Sequence, residues 1–118
     1  GLGLVIGIGG VLVELVKDSA FDLLPIDLAR AEALIGETKL ASLLDGYRAA
    51  PKADRKALAE LLVKLSGFAA RYGGDIEAVD LNPVAVLPEG KGVRILDALI
   101  IPRTDGKRDV GPAVETDP

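Results

Sequence analysis

Asp80-Leu81-Asn82-Pro83-Val84-Ala85-Val86-Leu87-Pro88-Glu89-Gly90-Lys91-Gly92-Val93-Arg94-Ile95-Leu96-Asp97 is the stretch that decides the fold. Apolar residues crowd both arms, and Pro88-Glu89-Gly90-Lys91 between them has the composition of a turn. Two strands joined by a four-residue turn follow. If Leu87 faces Gly92 across that turn, all facing partners share one sum of residue numbers, and Asn82 stands opposite Asp97. Asp80, two residues from Asn82, shares its face. A slip of one residue would carry Asp97 to the other face, so this pairing is a sharp expectation.

The oxygens in these strands need an explanation. Asp97 sits within Ile95-Leu96-Asp97-Ala98-Leu99-Ile100-Ile101, and Asp80 follows Ile76-Glu77-Ala78-Val79. Carboxylates in buried strands cost free energy unless they are paired, hydrogen-bonded or bound to metal. Magnesium prefers oxygen ligands, usually one or two carboxylates or amides completed by water and phosphate. Asn82 and Asp97, with Asp80 beside them, supply that set. The alternative is that Asp80 and Asn82 satisfy turn amides around Pro83 while Asp97 pairs with Arg94 or another cation. Pro83 itself suggests an edge or a bend.

Upstream, residues 2–16 are apolar except for glycines and Glu14. A membrane-spanning helix needs about 20 predominantly apolar residues, and this run is shorter, glycine-rich and interrupted by a carboxylate. Neither a basic N-terminal region nor a convincing cleavage site marks it as a signal peptide. Two buried strands meeting near Gly9-Gly10 explain it better. Glu14 either faces a phosphate-metal site or pairs with a lysine. The cluster Gly7-Ile8-Gly9-Gly10 precedes valines rather than a helix, so it is no dinucleotide fingerprint, and Gly36-Glu37-Thr38-Lys39 has the wrong order for a phosphate-binding loop.

Between the two β regions the spacing is helical. Residues 21–25 suit a short strand. Asp27 can cap a helix through Leu28, Ala31 and Ile35 that stops at Gly36. Thr38 can cap a second through Leu40, Leu43 and Leu44, ended by Gly46. Residues 49–53 read as a linker. Leu58, Leu61, Leu62, Leu65, Phe68 and Ala69 form the clearest amphipathic stripe, with Asp54 at its start and Gly73-Gly74 beyond its end. From Arg103 onward the chain is polar and without periodicity, which marks 103–118 as a tail or linker.

The 118 residues suit one compact domain, and 49% hydrophobic with 27% charged residues excludes disorder throughout. A net charge of -4 with few aromatic residues disfavours nucleic acid. The chain has no cysteine, which removes disulfides and thiolate chemistry and is compatible with the cytoplasm. It has no histidine either, so an imidazole base, ligand or phosphoryl acceptor must come from elsewhere. The absence of methionine, even at position 1, suggests a fragment or a processed product.

The order Gly7-Ile8-Gly9-Gly10-Val11-Leu12-Val13-Glu14-Leu15-Val16-Lys17-Asp18, Asp80-Leu81-Asn82-Pro83-Val84 and Leu96-Asp97-Ala98 resembles the ATP-grasp portion of ADP-forming acetyl-CoA synthetases and related acyl-CoA synthetases. These are similar to the β subunit of succinyl-CoA synthetase. Leu44-Asp45-Gly46-Tyr47-Arg48 looks like the Gly-x-Arg segment of that group. The likeness covers residues 3–102, so it implies an ATP-grasp subdomain over 1–102. Its implied fold is α+β, the C-terminal half of an ATP-grasp fold, a mostly antiparallel sheet covered by helices.

The resemblance makes Asn82 and Asp97 magnesium ligands, sets Asp80 at the acidic position of the acidic-x-Asn-Pro motif, and places Gly9, Gly10 and Glu14 near nucleotide phosphates. It implies Mg2+ and ATP or ADP, or another such nucleotide, as cofactors. It also implies partners: CoA-binding and phosphohistidine-bearing domains or subunits, and an acyl-CoA or carboxylic acid substrate. Such enzymes interconvert acyl-CoA, nucleoside diphosphate and phosphate with acid, CoA and triphosphate, and metal neutralises charge on the moving phosphoryl group. No catalytic residue is expected in this chain, and alone it should be inactive. The family often has a basic residue after Asp97-Ala98, where Leu99 stands here. A noncatalytic interaction or regulatory module is the rival expectation.

Overall fold

A computed structural model describes residues 2–16, 25–46 and 50–104. The N-terminal run forms β1, Leu2–Ile8, and β2, Val11–Val16. In β1 the even residues Leu2, Leu4, Ile6 and Ile8 are buried, while Gly3, Val5 and Gly7 lie on the other face, the period-two signature of a strand with one covered side. Gly9 and Gly10 have φ of 57° and 84°, as the tight two-residue turn between β1 and β2 requires. Among the described residues no helix is long and apolar enough to cross a membrane.

Three helices follow: α1, Leu28–Gly36; α2, Leu40–Leu44; and α3, Arg55–Tyr72. Asp27 caps α1 by accepting the Arg30 N–H at 2.8 Å. The Thr38 hydroxyl accepts the Leu40 N–H at 3.2 Å and donates to the Ile35 carbonyl at 2.7 Å, so it joins the end of α1 to the start of α2. The helix stripe in α3 buries Leu58, Ala59, Leu62 and Ser66. Ser66 is satisfied inside the core: its hydroxyl accepts the Ile26 N–H and donates to the Val63 carbonyl.

The sheet is completed by β3, Ile76–Val86, β4, Val93–Ile95, and β5, Ala98–Pro102. Its order is β2-β1-β3-β4, with β5 also on β3. The β1–β3 pairing is parallel and the others are antiparallel. The sheet is thus mixed, and mostly antiparallel as expected. The helices cover one face, where Leu4, Ile6, Ile35, Leu40, Leu44, Leu58, Leu62 and Val84 are fully buried, each stabilising the fold by about 1.5–3 kcal/mol.

The local expectations fare differently. Positions 21–24 lie outside the described residues, and Pro25 is not in a strand. The expected linker is anchored at its end, because Ala53 is buried, donates its N–H to the Leu44 carbonyl at 2.8 Å and bridges to Pro88. Pro83 marks a bend rather than an edge: β3 runs through it with a cis Asn82–Pro83 peptide, and its pairing with β1 shifts register there. Arg103, on the tail side of the expected boundary, is bonded into the fold: its guanidinium donates to the carbonyls of Gly73, Gly74 and Ile76. Residues 105–118 lie outside the described residues.

Asp54 does more than cap a helix. Its Oδ1 accepts the Ala57 N–H at 3.1 Å, while Oδ2 accepts the N–H groups of Gly90 and Gly92 at 3.1 and 2.8 Å. One carboxylate therefore ties the start of α3 to the β3–β4 turn. Asp54→Ala should lower stability by about 2 kcal/mol, measured by urea unfolding, with Asp54→Asn in between. A loss below about 0.5 kcal/mol for the alanine variant would show that the turn holds itself.

Candidate metal and nucleotide site

The site begins with the register of β3 against the strands that return along it. Val86, Ala85 and Val84 pair with Val93, Arg94 and Ile95. The Leu87 N–H donates to the Gly92 carbonyl at 3.0 Å, the Leu96 N–H to Pro83 at 3.0 Å, and the Asn82 N–H to Asp97 at 3.1 Å. Beyond the break at Leu96-Asp97, Leu81 pairs with Ala98 and Asp80 with Leu99. The break thus interrupts the strand without slipping the register, and Asn82 faces Asp97.

Across the sheet on the other side, Val5 pairs with Glu14 of β2. Leu4 pairs with Leu81 and Ile6 with Val84, so Asn82 and Pro83 together oppose Val5, as in a β-bulge. Glu14, Val5, Asn82 and Asp97 consequently lie at one level, running from β2 across β1 and β3 to the break between β4 and β5. Glu14 and Val5 stand on the face opposite the helices, because Leu4 and Ile6 occupy the helix side. The structure therefore brings Glu14 into line with the predicted pair, and Asp80 lies two residues along β3. It does not bring Gly9 and Gly10 there: they sit four strand positions beyond Val5, about 13 Å along the sheet.

Asn82 and Asp97 are exposed, while Asp80 is half-buried. Asp97 is not tied to Arg94, which faces Ala85; its Oδ1 accepts the Ala98 N–H at 2.9 Å. Its second oxygen and the Asn82 amide oxygen make a sparse donor set. Among the described residues no three His, Cys, Asp or Glu side chains gather around one point. A site of this kind fits magnesium, which keeps several waters and takes one or two protein oxygens, and does not fit zinc, which wants a closed set of nitrogen and sulfur ligands. The β1–β3 pairing, which puts Gly3 beside Asp80, was not found in the sequence; the glycine at an alternating strand position was its one visible sign.

Fold and site define the class: an α+β unit, the C-terminal half of an ATP-grasp fold, with helices on one face of a mixed sheet and oxygen side chains on the other. Residues 1–101 match the ATP-grasp domain, and the chain belongs to that family. It is 37% identical over 101 residues to the β subunit of ADP-forming acetate-CoA ligase II from Pyrococcus furiosus, covering 86% of this chain and 43% of that one. It is 42% identical over 95 residues to a trans-feruloyl-CoA synthase from an unknown prokaryotic organism, covering 80% of this chain and 13% of that one. Among solved structures it resembles the dinucleotide-forming acetyl-coenzyme A synthetase 1 of Ca. Korarchaeum cryptofilum, in complex with coenzyme A and Mg-AMPPCP and with its phosphohistidine segment pointing towards the nucleotide binding site. That likeness has a TM-score of 0.60 and 34% identity, and covers 67% of this chain and 36% of that one. The chain spans less than half the length of these relatives.

Because Asn82 and Asp97 are exposed, Asn82→Ala and Asp97→Ala should each change unfolding free energy by less than about 1 kcal/mol in thermal or urea denaturation. A larger loss would make the pair a structural contact of the hairpin.

Proposed function

We propose that this chain is the magnesium-nucleotide-binding part of a larger acyl-CoA synthetase that interconverts acyl-CoA, nucleoside diphosphate and phosphate with acid, CoA and nucleoside triphosphate. One observation carries the reading: Asn82 and Asp97 face each other at the break between β4 and β5, exposed and in line with Glu14. The similarity to ADP-forming ligases supports it.

In this reading Asn82 offers its amide oxygen and Asp97 the carboxylate oxygen not engaged by Ala98. Bound there, magnesium would supply positive charge against the phosphates. Asp80 borders the pair. Glu14 meets the phosphate end from β2, and the exposed Gly9-Gly10 turn lines the route to it along the same sheet. Residues 1–102 act as the ATP-grasp unit, onto which Arg103 is bonded, and the rest of 103–118 serves as tail or linker. The chain contains no histidine, so the phosphohistidine and the CoA-binding parts belong to other segments or a partner subunit, and this chain alone is inactive.

The test is the magnesium dependence of nucleotide binding in the full-length protein. Asp97→Ala should raise the magnesium concentration for half-maximal binding by about tenfold or more, and Asn82→Ala should move it in the same direction. Unchanged dependence in both variants would sink the assignment. A noncatalytic interaction module is the second reading, favoured by the exposed apolar residues Leu99, Ile100 and Ile101 on β5. It requires a full-length protein without the upstream nucleotide-binding elements or a relay histidine.

A further inference from the structure

Charge is unevenly spread over the helix-free face of the sheet. Glu14, Asp80 and Asp97 bring carboxylates to it. Within β1–β5 the one basic residue is Arg94. It stands on the same face, because it pairs with Ala85, whose neighbours Val84 and Val86 are buried beneath the helices. Arg94 is exposed and lies in β4, at the edge of the sheet. An arginine at a sheet edge has an ordinary use, since charge there hinders strand-to-strand association. That use is served on either face and at any level, whereas the place of Arg94 relative to the oxygen pair is particular.

The register sets that place. Ala85 lies three positions from Asn82, as Arg94 does from Asp97, about 10 Å along the sheet. Pro83 and Leu96 fill the interval, joined by the Leu96 N–H to the Pro83 carbonyl at 3.0 Å. Neither is charged, and Leu96 is 57% exposed. On the other side of the pair the next facing residues with a polar group on this face are Asp80 and its partner Leu99. A phosphate chain held by its end at Asn82 and Asp97 therefore meets a carboxylate in one direction and, past an apolar step, a guanidinium in the other. Arginine can lay its aliphatic stem along such a step and keep its charged head in the polar ground beyond.

We propose that Arg94 is a nucleotide-binding residue of this site: its guanidinium donates to the α-phosphate of a nucleoside diphosphate whose β-phosphate is held through magnesium at Asn82 and Asp97. The nucleoside end then lies toward the Gly9-Gly10 turn and away from Asp80. Magnesium offsets the charge of Asp97 and the β-phosphate, which leaves the α-phosphate to a second cation, and the planar guanidinium offers two parallel N–H groups to its oxygens. This rests on the metal reading of Asn82 and Asp97.

The experiment measures binding of ADP, GDP and AMP to the full-length protein at saturating magnesium, by isothermal titration calorimetry, for Arg94→Ala and Arg94→Lys, with circular dichroism as the check on folding. Arg94→Ala should weaken all three nucleotides alike by about tenfold, with Arg94→Lys in between. Should the alanine variant not fold, Arg94→Gln, which keeps most of the stem, is measured for the same loss. Unchanged affinities overturn the inference and leave Arg94 a guard of the edge. A loss confined to one base puts the guanidinium on the base, and a loss for ADP and GDP without AMP puts it on the β-phosphate; either result overturns the inference too. A magnesium titration of Asp97→Ala keeps the underlying reading separate. A raised requirement there, with Arg94→Ala unaltered, removes only the role of Arg94, while an unchanged requirement removes the metal reading and this inference with it.

Discussion

The site depends on β3 holding a single register against the two strands that return along it. That register is enforced from both ends. At the turn, Leu87 bonds to Gly92, and the Asp54 carboxylate grips Gly90 and Gly92 while capping α3. In the core, Leu81, Val84 and Val86 are buried beneath the helices, and exposing any one of them would cost about 1.5–3 kcal/mol. A slip would therefore oppose both the clamp and the core. With slippage suppressed, the Asn82–Asp97 pairing is a consequence of packing elsewhere, and among the described residues its side chains make one hydrogen bond, from the Ala98 N–H to Asp97 Oδ1.

The hairpin was legible because its information is local. A turn of four residues fixes the sum of partner numbers, and every pairing from Val86–Val93 to Ala78–Ile101 obeys it. The Gly9-Gly10 turn, the Asp27 cap and the α3 stripe are local in the same sense, each written within a few neighbouring residues. The parallel pairing of β1 with β3 is different. It joins segments separated by all three helices, so no spacing between neighbouring residues signals it. The two features that depend on it, the alignment of Glu14 with Asn82 and the seating of Asp80 beside Gly3, could not be read from spacing. Nor could the reach of Asp54 to Gly90 and Gly92, which needs the hairpin and the helix to be in place together.

The two faces of the sheet divide the work. The helix side carries the fully buried side chains, so substitutions there act on stability. The other side carries Glu14 and Asp80 together with the exposed Leu12 and Leu99, and none of the described elements covers it. Exposed apolar residues around oxygen side chains suit a surface that closes against another part of a larger molecule. They would also suit a module that only binds a partner, so exposure alone does not separate the two readings.

Asp80 separates them better. A surface evolved for protein contact gains nothing from a half-buried carboxylate that no described donor reaches, because burying it beneath a partner would deepen its desolvation. Leucine, serine or a paired charge would serve such a surface at lower cost. A cation site reverses the balance: positive charge, with waters able to donate, compensates the carboxylate when the site is filled. Leu99, standing opposite without a charge of its own, leaves that compensation to whatever binds.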